Sequence, residues 1–179
     1  MDPILLKGPA VARWLYDHPT ERTYADAGLM IAPGDLGPAR AVLADLGFAS
    51  VPEVRPLVRD APAPHADTWF RDRDHGAISV HRCLHGTEHL PPERVWSAVA
   101  CDRERIEVFG HAVDVPSVPV RALHVVLHLR PKDRPGSKAW VDLGRALARV
   151  ELQVWNGMAA LAADLDMRQD GGQGARCEA

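Results

Sequence analysis

The stretch ILLKGPAVARWLYDHPTERTYADAGLMIAPGD, residues 4–35, constrains the fold more tightly than any other part of the chain. Its apolar run from Ile4 to Lys7 meets Gly8 and then Pro9. Proline suits a first helical position, where its missing N–H would have had no partner. Ala10, Val11, Trp14 and Leu15 fall on one helical face, and His18-Pro19 closes the helix. A second apolar run, Ala27 to Ala32, starts directly behind Asp26. Strand, glycine turn, helix and strand thus place a carboxylate beside a backbone turn that an anion can approach, with a helix N-terminus offering N–H groups. Carboxylates at i and i+2 of a strand share a face, yet the residue two beyond Asp26 is Gly28.

The same punctuation draws the remaining elements. Asp35 stands before a helix over Leu36 to Leu46, with Leu36, Ala39, Val42, Leu43 and Leu46 inward and Gly47 as the stop. A strand is expected near Phe48 to Val54. Pro52, Pro56, Pro62 and Pro64 predict extended, edge-like or looping chain. The alternating charges of RDRDH, which contain Asp72 and Asp74, read as a solvated loop. Gly76 to Leu84, GAISVHRCL, is the clearest strand of the middle. Pro91 and Pro92 introduce a short helix through Ala100 that carries Val95, Trp96 and Val99, and RIEVFGHAVDVPS predicts a hairpin around Gly110. Residues 118–130 are apolar almost all round and predict a buried helix. Ser137 caps a helix to about Arg149, and residues 151–165 make another. From Arg168 the tail has no apolar face and is expected to be disordered.

Composition bounds the possibilities. A chain of 179 residues suffices for one domain with a sizeable core. With 21 basic against 24 acidic residues, a net charge of -3 gives no general nucleic-acid footprint. No apolar stretch approaches a membrane span, and the N-terminus lacks a secretory pattern. Cys83, Cys101 and Cys177 are odd in number, lack CxxC spacing and suit a reducing cytoplasm better than a disulfide framework. Abundant Ala, Arg, Asp, Pro and Val beside few Lys, Asn and Ile suggest a GC-rich bacterial genome.

These segments resemble a bacterial nucleotidyltransferase family, the uncharacterised branch of the polymerase-β-like superfamily. LLKGPAVARWLY is similar to its opening strand-to-helix turn. ERTYADAGLMIAPGDLGPARAVLADLGF follows its order of an arginine, a D-x-D strand, a loop and a helix closing in LGF. AISVHRCLHG resembles its third-carboxylate strand, and VPVRALHVVLHL and KAWVDLGRALARVELQVW its two helical segments. The resemblance runs over residues 3–165. It implies an α/β (α+β) fold: a small mixed sheet holding residues near 4–7, 27–32 and 76–84, flanked by helices, with a C-terminal helical part. The implied division is a core over 1–115, a helical part over 116–167 and a tail over 168–179.

The activity implied is transfer of a nucleotide from an NTP, with ATP the first candidate, to a small-molecule, peptide or protein acceptor. In that chemistry two magnesium ions hold the attacking and leaving oxygens. Residue by residue, Asp26 matches the first carboxylate, and so the catalytic and metal-binding position. Gly28 and Ser79 stand where the second and third carboxylates are expected, and neither replaces a carboxylate toward magnesium. Gly8 fits the phosphate approach and Lys7 can reach a phosphate as a point charge. Arg22 matches a family arginine able to steady phosphate, and His81 matches the histidine that follows the third carboxylate. The resemblance therefore implies a nucleotidyltransferase impaired by lost ligands, or alternatively a degenerate nucleotide-binding or regulatory subunit.

His124 and His128 form an i,i+4 pair that fits a metal by spacing but has no third ligand assured, so a cleft-facing or buried, hydrogen-bonded pair is the plainer reading. His81, His85 and His89 recur every four residues, but Gly86 and the preceding strand argue against a continuous helix. Trp14, Trp96, Trp140 and Trp155 sit at helical core spacings, and Cys83 reads as a core residue. Because the chain reaches its polar tail soon after Trp155, Leu152, Trp155, Met158 and Leu165 are expected to form an exposed apolar surface for a second copy or a partner protein.

Overall fold

Gly8 has φ +72°, and this left-handed turn breaks the first strand sooner than the apolar run suggests. In the computed structural model, which describes residues 1–51, 65–130 and 132–167, β1 is only Ile4–Leu5, and α1 follows over Pro9–Leu15. Next come β2 (Asp26–Met30), α2 (Leu36–Asp45), β3 (Ala49–Ser50), β4 (Ala66–Arg71) and β5 (Gly76–His81). They are followed by α3 (Pro92–Ala100), the hairpin β6 (Glu104–Val108) and β7 (His111–Val115), α4 (Val118–His128), α5 (Lys138–Arg149) and α6 (Leu152–Asp164).

The strands form one mixed sheet of 7 strands in the order β3-β4-β5-β2-β1-β7-β6. It is larger than expected, because the hairpin joins it through β7, parallel to β1, and because β4 was not foreseen as a strand. The run ADTWFR has no clean alternation, so its strand character depends on pairing with β5 along its whole length. RDRDH forms a 3-10 turn at Asp72–Asp74, with Arg71 on Asp74 at 2.7 Å. The proline-rich stretch over 52–64 and the tail over 168–179 lie outside the described residues.

The β2–β5 register decides the faces. Asp26 lies opposite Ala77, Gly28 opposite Ser79, and Met30 opposite His81. These residues look toward one side of the sheet, while Leu29, Ile78 and Val80 look to the other. On that other side, Ile31, Trp69 and Val80 pack with Ala39 and Leu43 of α2. On the Met30 side, Ile4, Leu6 and Met30 pack with Val95 and Val99 of α3, Val120 and Leu123 of α4, and Leu165 beyond α6. A third cluster joins Val11 and Leu15 of α1 to Val125 of α4 and Ala146 of α5. The helices therefore form a wall over the face that carries Asp26.

Two apolar expectations change. Leu165 is fully buried, and Met158 and Trp155 pack inward, because α6 lies along α4. Of the surface anticipated for a partner, only Leu152 stays exposed, at 72%. Trp140 is 41% exposed rather than core, and its indole N–H donates to the Asp133 carbonyl at 3.1 Å.

Candidate functional site

Gly8 is held where it is by a close approach. A Cβ there would lie 2.9 Å from the Asp26 carbonyl oxygen, so the β1–α1 turn can press against the start of β2 only as glycine. The turn thereby sets Lys7 beside Asp26, with the ammonium nitrogen 2.8 Å from Oδ2. The stem of Lys7 crosses above Gly28: a Cβ at position 28 would lie 2.5 Å from Lys7 Cγ and 2.7 Å from Cε. The space that a second carboxylate would enter is filled by lysine.

Ser79 lies on the same face and donates from Oγ to Asp26 Oδ2 at 2.9 Å, as the one-residue register of β5 requires. Burial alone would raise the Asp26 carboxyl. The hydrogen bond and charge of Lys7, then the Ser79 hydroxyl, outweigh it and hold the group below its ordinary value. Asp26 is therefore an ionised carboxylate, already neutralised by a cation from its own chain.

These groups stand on one wall of a cleft between sheet and helices, with a cavity of about 360 Å³. Lys7, Gly8, Arg22, Tyr24 and Asp26 supply that wall. His124, His128, Arg130, Lys132, Ser137 and Lys138 supply much of the facing one. Of the residues singled out in the sequence, Lys7, Gly8, Arg22 and Asp26 thus come together at the cleft. Gly28 is covered by Lys7, Ser79 is buried behind Asp26, and His81 lies deeper, 2% exposed.

Arg22 is held there by its own chain. Its Nε donates to Asp142 Oδ1 at 2.8 Å, its Nη2 to Oδ2 at 2.7 Å, and Nη1 reaches the Gly8 carbonyl at 3.4 Å. The Tyr16 hydroxyl also donates to Asp142, at 2.7 Å, and burial followed by this acidic partner pushes its pKa up to about 12. A fork of this kind is geometrically specific. Arg22 and Asp142 are 120 residues apart, and through the Gly8 carbonyl the contact ties the glycine turn to α5. The sequence marked KAWVDLGRALARVELQVW as a helical segment, but nothing local revealed Arg22 as a partner of its Asp142.

The helical wall was the part of the site that sequence reasoning left mostly unassigned. Ser137 takes the N-cap position of α5 with φ -62° and ψ 158° but makes no capping bond, and its Oγ meets no hydrogen-bond partner. Lys138 follows it, and among the described residues no ion pair engages Lys132, Lys138 or the Arg130 guanidinium. Cations at a helix start facing a glycine turn form an anion-accepting surface. His124 and His128 line the cleft as a tilted pair, with ring centroids 4.2 Å apart and planes inclined by 58°. His128 Nδ1 lies 2.9 Å from the His124 carbonyl oxygen, whereas neither ring nitrogen of His124 or His81 meets a partner.

A mixed sheet with a strand–glycine–helix turn at one wall and a helical wall opposite defines a nucleotidyltransferase-like fold. The chain belongs to the family described as uncharacterised nucleotidyltransferase, whose model matches residues 1–178. No curated protein matches the chain. Among solved structures, it is similar to the solution structure of the antibiotic-resistance factor ANT(2'')-Ia, with TM-score 0.59 and 14% identity, covering 92% of this chain and 84% of that one. It also matches the crystal structure of an antigenic nucleotidyltransferase-like protein from Paracoccidioides brasiliensis, with TM-score 0.48 and 13% identity over 93% and 85% of the two chains. Among the described residues, no helix is long and apolar enough to cross a membrane.

Proposed function

We propose that this chain binds a nucleoside triphosphate, ATP the first candidate, in the cleft between sheet and helices, and that nucleotidyl transfer there is impaired. One observation carries the reading: the Lys7 ammonium sits on Asp26 while its stem occupies the space above Gly28. A pair of magnesium ions needs several oxygen ligands, largely carboxylate. Three carboxylates line the cleft, but Asp26 is paired with Lys7, Asp142 is held by Arg22, and Asp133 accepts the Arg130 backbone N–H; with glycine and serine at positions 28 and 79, this donor set does not fit two ions beside Asp26. Lys7 instead provides a fixed positive charge where cations would otherwise gather.

The remainder of the cleft suits a polyphosphate. The Gly8 turn lines the cleft, and Lys132, Lys138 and Arg130 bring charge from the opposite wall. The Ser137 hydroxyl faces the same space. In this reading the core over 1–115 and the helical part over 116–167 are the two halves of the binding cleft, and the helical half meets the acceptor. Free Cys83, buried, and Cys101, exposed, fit a reducing cytoplasmic location.

Calorimetry with ATP, GTP, CTP and UTP, each with and without magnesium, tests the proposal alongside pyrophosphate release. The expected outcome is nucleotide binding that changes little with magnesium, and release no faster than in Asp26→Ala. Vigorous magnesium-dependent release that disappears in Asp26→Ala would establish a working enzyme with a reduced ligand set.

A further inference from the structure

At the far end of β5 from Asp26, the chain leaves the sheet through the turn LHGTEHL. Leu84 and Thr87 are both fully buried and anchor it. Thr87 donates to the Leu84 carbonyl twice, from its N–H at 3.1 Å and its hydroxyl at 2.8 Å. Gly86 supplies φ +85° between them. With the apolar and hydroxyl anchors inward, the alternate positions His85 and Glu88 project together. His65, just ahead of β4, is brought over them because its carbonyl accepts the Arg82 N–H at 2.9 Å.

Here two imidazoles converge on one carboxylate oxygen. Glu88 Oε1 lies 3.3 Å from His85 Nδ1 and 3.7 Å from His65 Nδ1. All the donor atoms lie within 4.8 Å of one another. A dication would take one lone pair from each of these three groups and hold them together. Around a tetrahedral ion with bonds of about 2.0–2.2 Å, neighbouring donor atoms lie about 3.4 Å apart, close to the two shorter separations here.

We propose that His65, His85 and Glu88 form a binding site for a single divalent transition-metal ion of the zinc class, separate from the nucleotide cleft. Two imidazole nitrogens and one carboxylate suit zinc, cobalt, nickel or copper and disfavour magnesium, which takes oxygen donors and octahedral geometry. Three protein ligands leave a fourth position for water. The ion would tie the start of β4 to the turn beyond β5. Those segments lie beside the ion pair between Asp67 of β4 and Arg82, just past the end of β5, 3.4 Å apart. The site draws on neither Asp26 nor the helical wall, so it stands or falls independently of nucleotide binding.

The test uses the full chain, stripped with a chelator and titrated with Zn2+ against a chromophoric competitor, in parallel with thermal unfolding. Wild type should bind one equivalent, at micromolar concentrations or tighter, and unfold at a higher temperature with zinc present, because binding to the folded state alone stabilises it. His85→Ala, at a half-exposed position, and Glu88→Gln should each weaken binding by at least about 100-fold, since even partners of ligands cost 10–100-fold, and abolish the thermal shift. Asp26→Ala should bind as wild type. The proposal is overturned if wild type takes up no zinc at micromolar concentrations, if His85→Ala and Glu88→Gln bind unchanged, or if the site disappears in Asp26→Ala instead.

Discussion

At Lys7 a single side chain alters what its neighbours can do. Its ammonium neutralises Asp26, and its stem excludes any side chain at position 28. Placing carboxylates at positions 28 and 79, where the resemblance expects them, is therefore not enough. In Gly28→Asp/Ser79→Asp, the new Cβ would meet the Lys7 stem rather than its mobile tip, and the displaced ammonium would still follow the added negative charge. That double variant should show little gain in magnesium-dependent ATP affinity. Adding Lys7→Ala should produce a gain of about tenfold or more, equivalent to about 1.4 kcal/mol, measured calorimetrically with and without magnesium. A large gain in the double variant alone would show that Lys7 yields its place freely. The cationic wall is tested by Lys132→Ala/Lys138→Ala. Loss of two charge-assisted contacts should weaken ATP binding by about 1.5–3 kcal/mol for each contact made, with unfolding midpoints unchanged because both side chains are exposed. That Asp26 and Gly28 share a face was legible in the strand spacing, and that Ser79 lies beside them was expected from the resemblance and agrees with the β2–β5 register. The lysine above Gly28 was not legible, because its direction depends on the positive φ of Gly8 and on how β1 ends.

Among the elements, the joint between α1 and α5 is the most demanding. Arg22 and Asp142 are each 8% exposed and hold one another through a two-pronged contact. Removing one partner strands a buried charge, which typically costs about 3–5 kcal/mol. Asp142→Ala should lose about that much in chemical denaturation and also free Arg22 and Tyr16, whereas Arg145→Ala, at the more exposed pair with Glu21, should lose less than about 1 kcal/mol. At the C-cap of α6, Leu165→Ala should cost about 2–5 kcal/mol as a cavity in a closed core, while Leu152→Ala at its start stays within about 0.5 kcal/mol. Equal effects at both leucines would mean that α6 does not use its inner face as described. Helices such as α2, α3, α5 and α6 were readable because their apolar spacing repeats within one segment. By contrast, β4 was hidden: ADTWFR has no period of its own and becomes a strand only between β3 and β5. Nor could spacing reveal that α6 covers itself against α4, since the partner face lies on another element.

Across the whole molecule, a file of imidazoles connects the two ends of the sheet's inner face. His65 and His81 have ring centroids 5.5 Å apart, His81 and His124 6.0 Å, and His124 and His128 4.2 Å. Burial pushes His81 down to about 3, helped by the charge of Lys7 and by neighbouring histidines, and Asp26 only partly opposes them. Burial likewise holds His124 well below the ordinary histidine value and lowers His128, although the His124 carbonyl near His128 works the other way. In the unfolded chain these rings titrate near the ordinary value of about 6.5. Between that value and about 3, the unfolded chain binds more protons at His81 than the folded one, so stability falls as pH drops below about 6.5. His124 and His128 change in the same direction. Each ring kept neutral in the fold contributes up to about 1.4 kcal/mol per pH unit to that slope. The Asp26 carboxyl, held low, adds a loss of the same sign only at more acid pH, below its ordinary value of 3.8. Denaturant unfolding between pH 7 and pH 5 should therefore show a steep loss of stability well before the carboxylates protonate. His124→Leu keeps an apolar side chain in the same space and removes one titration. It should flatten the slope below pH 6.5 by up to about 1.4 kcal/mol per unit. A wild-type stability independent of pH over that range would mean that the histidine file opens to water and takes up protons without unfolding.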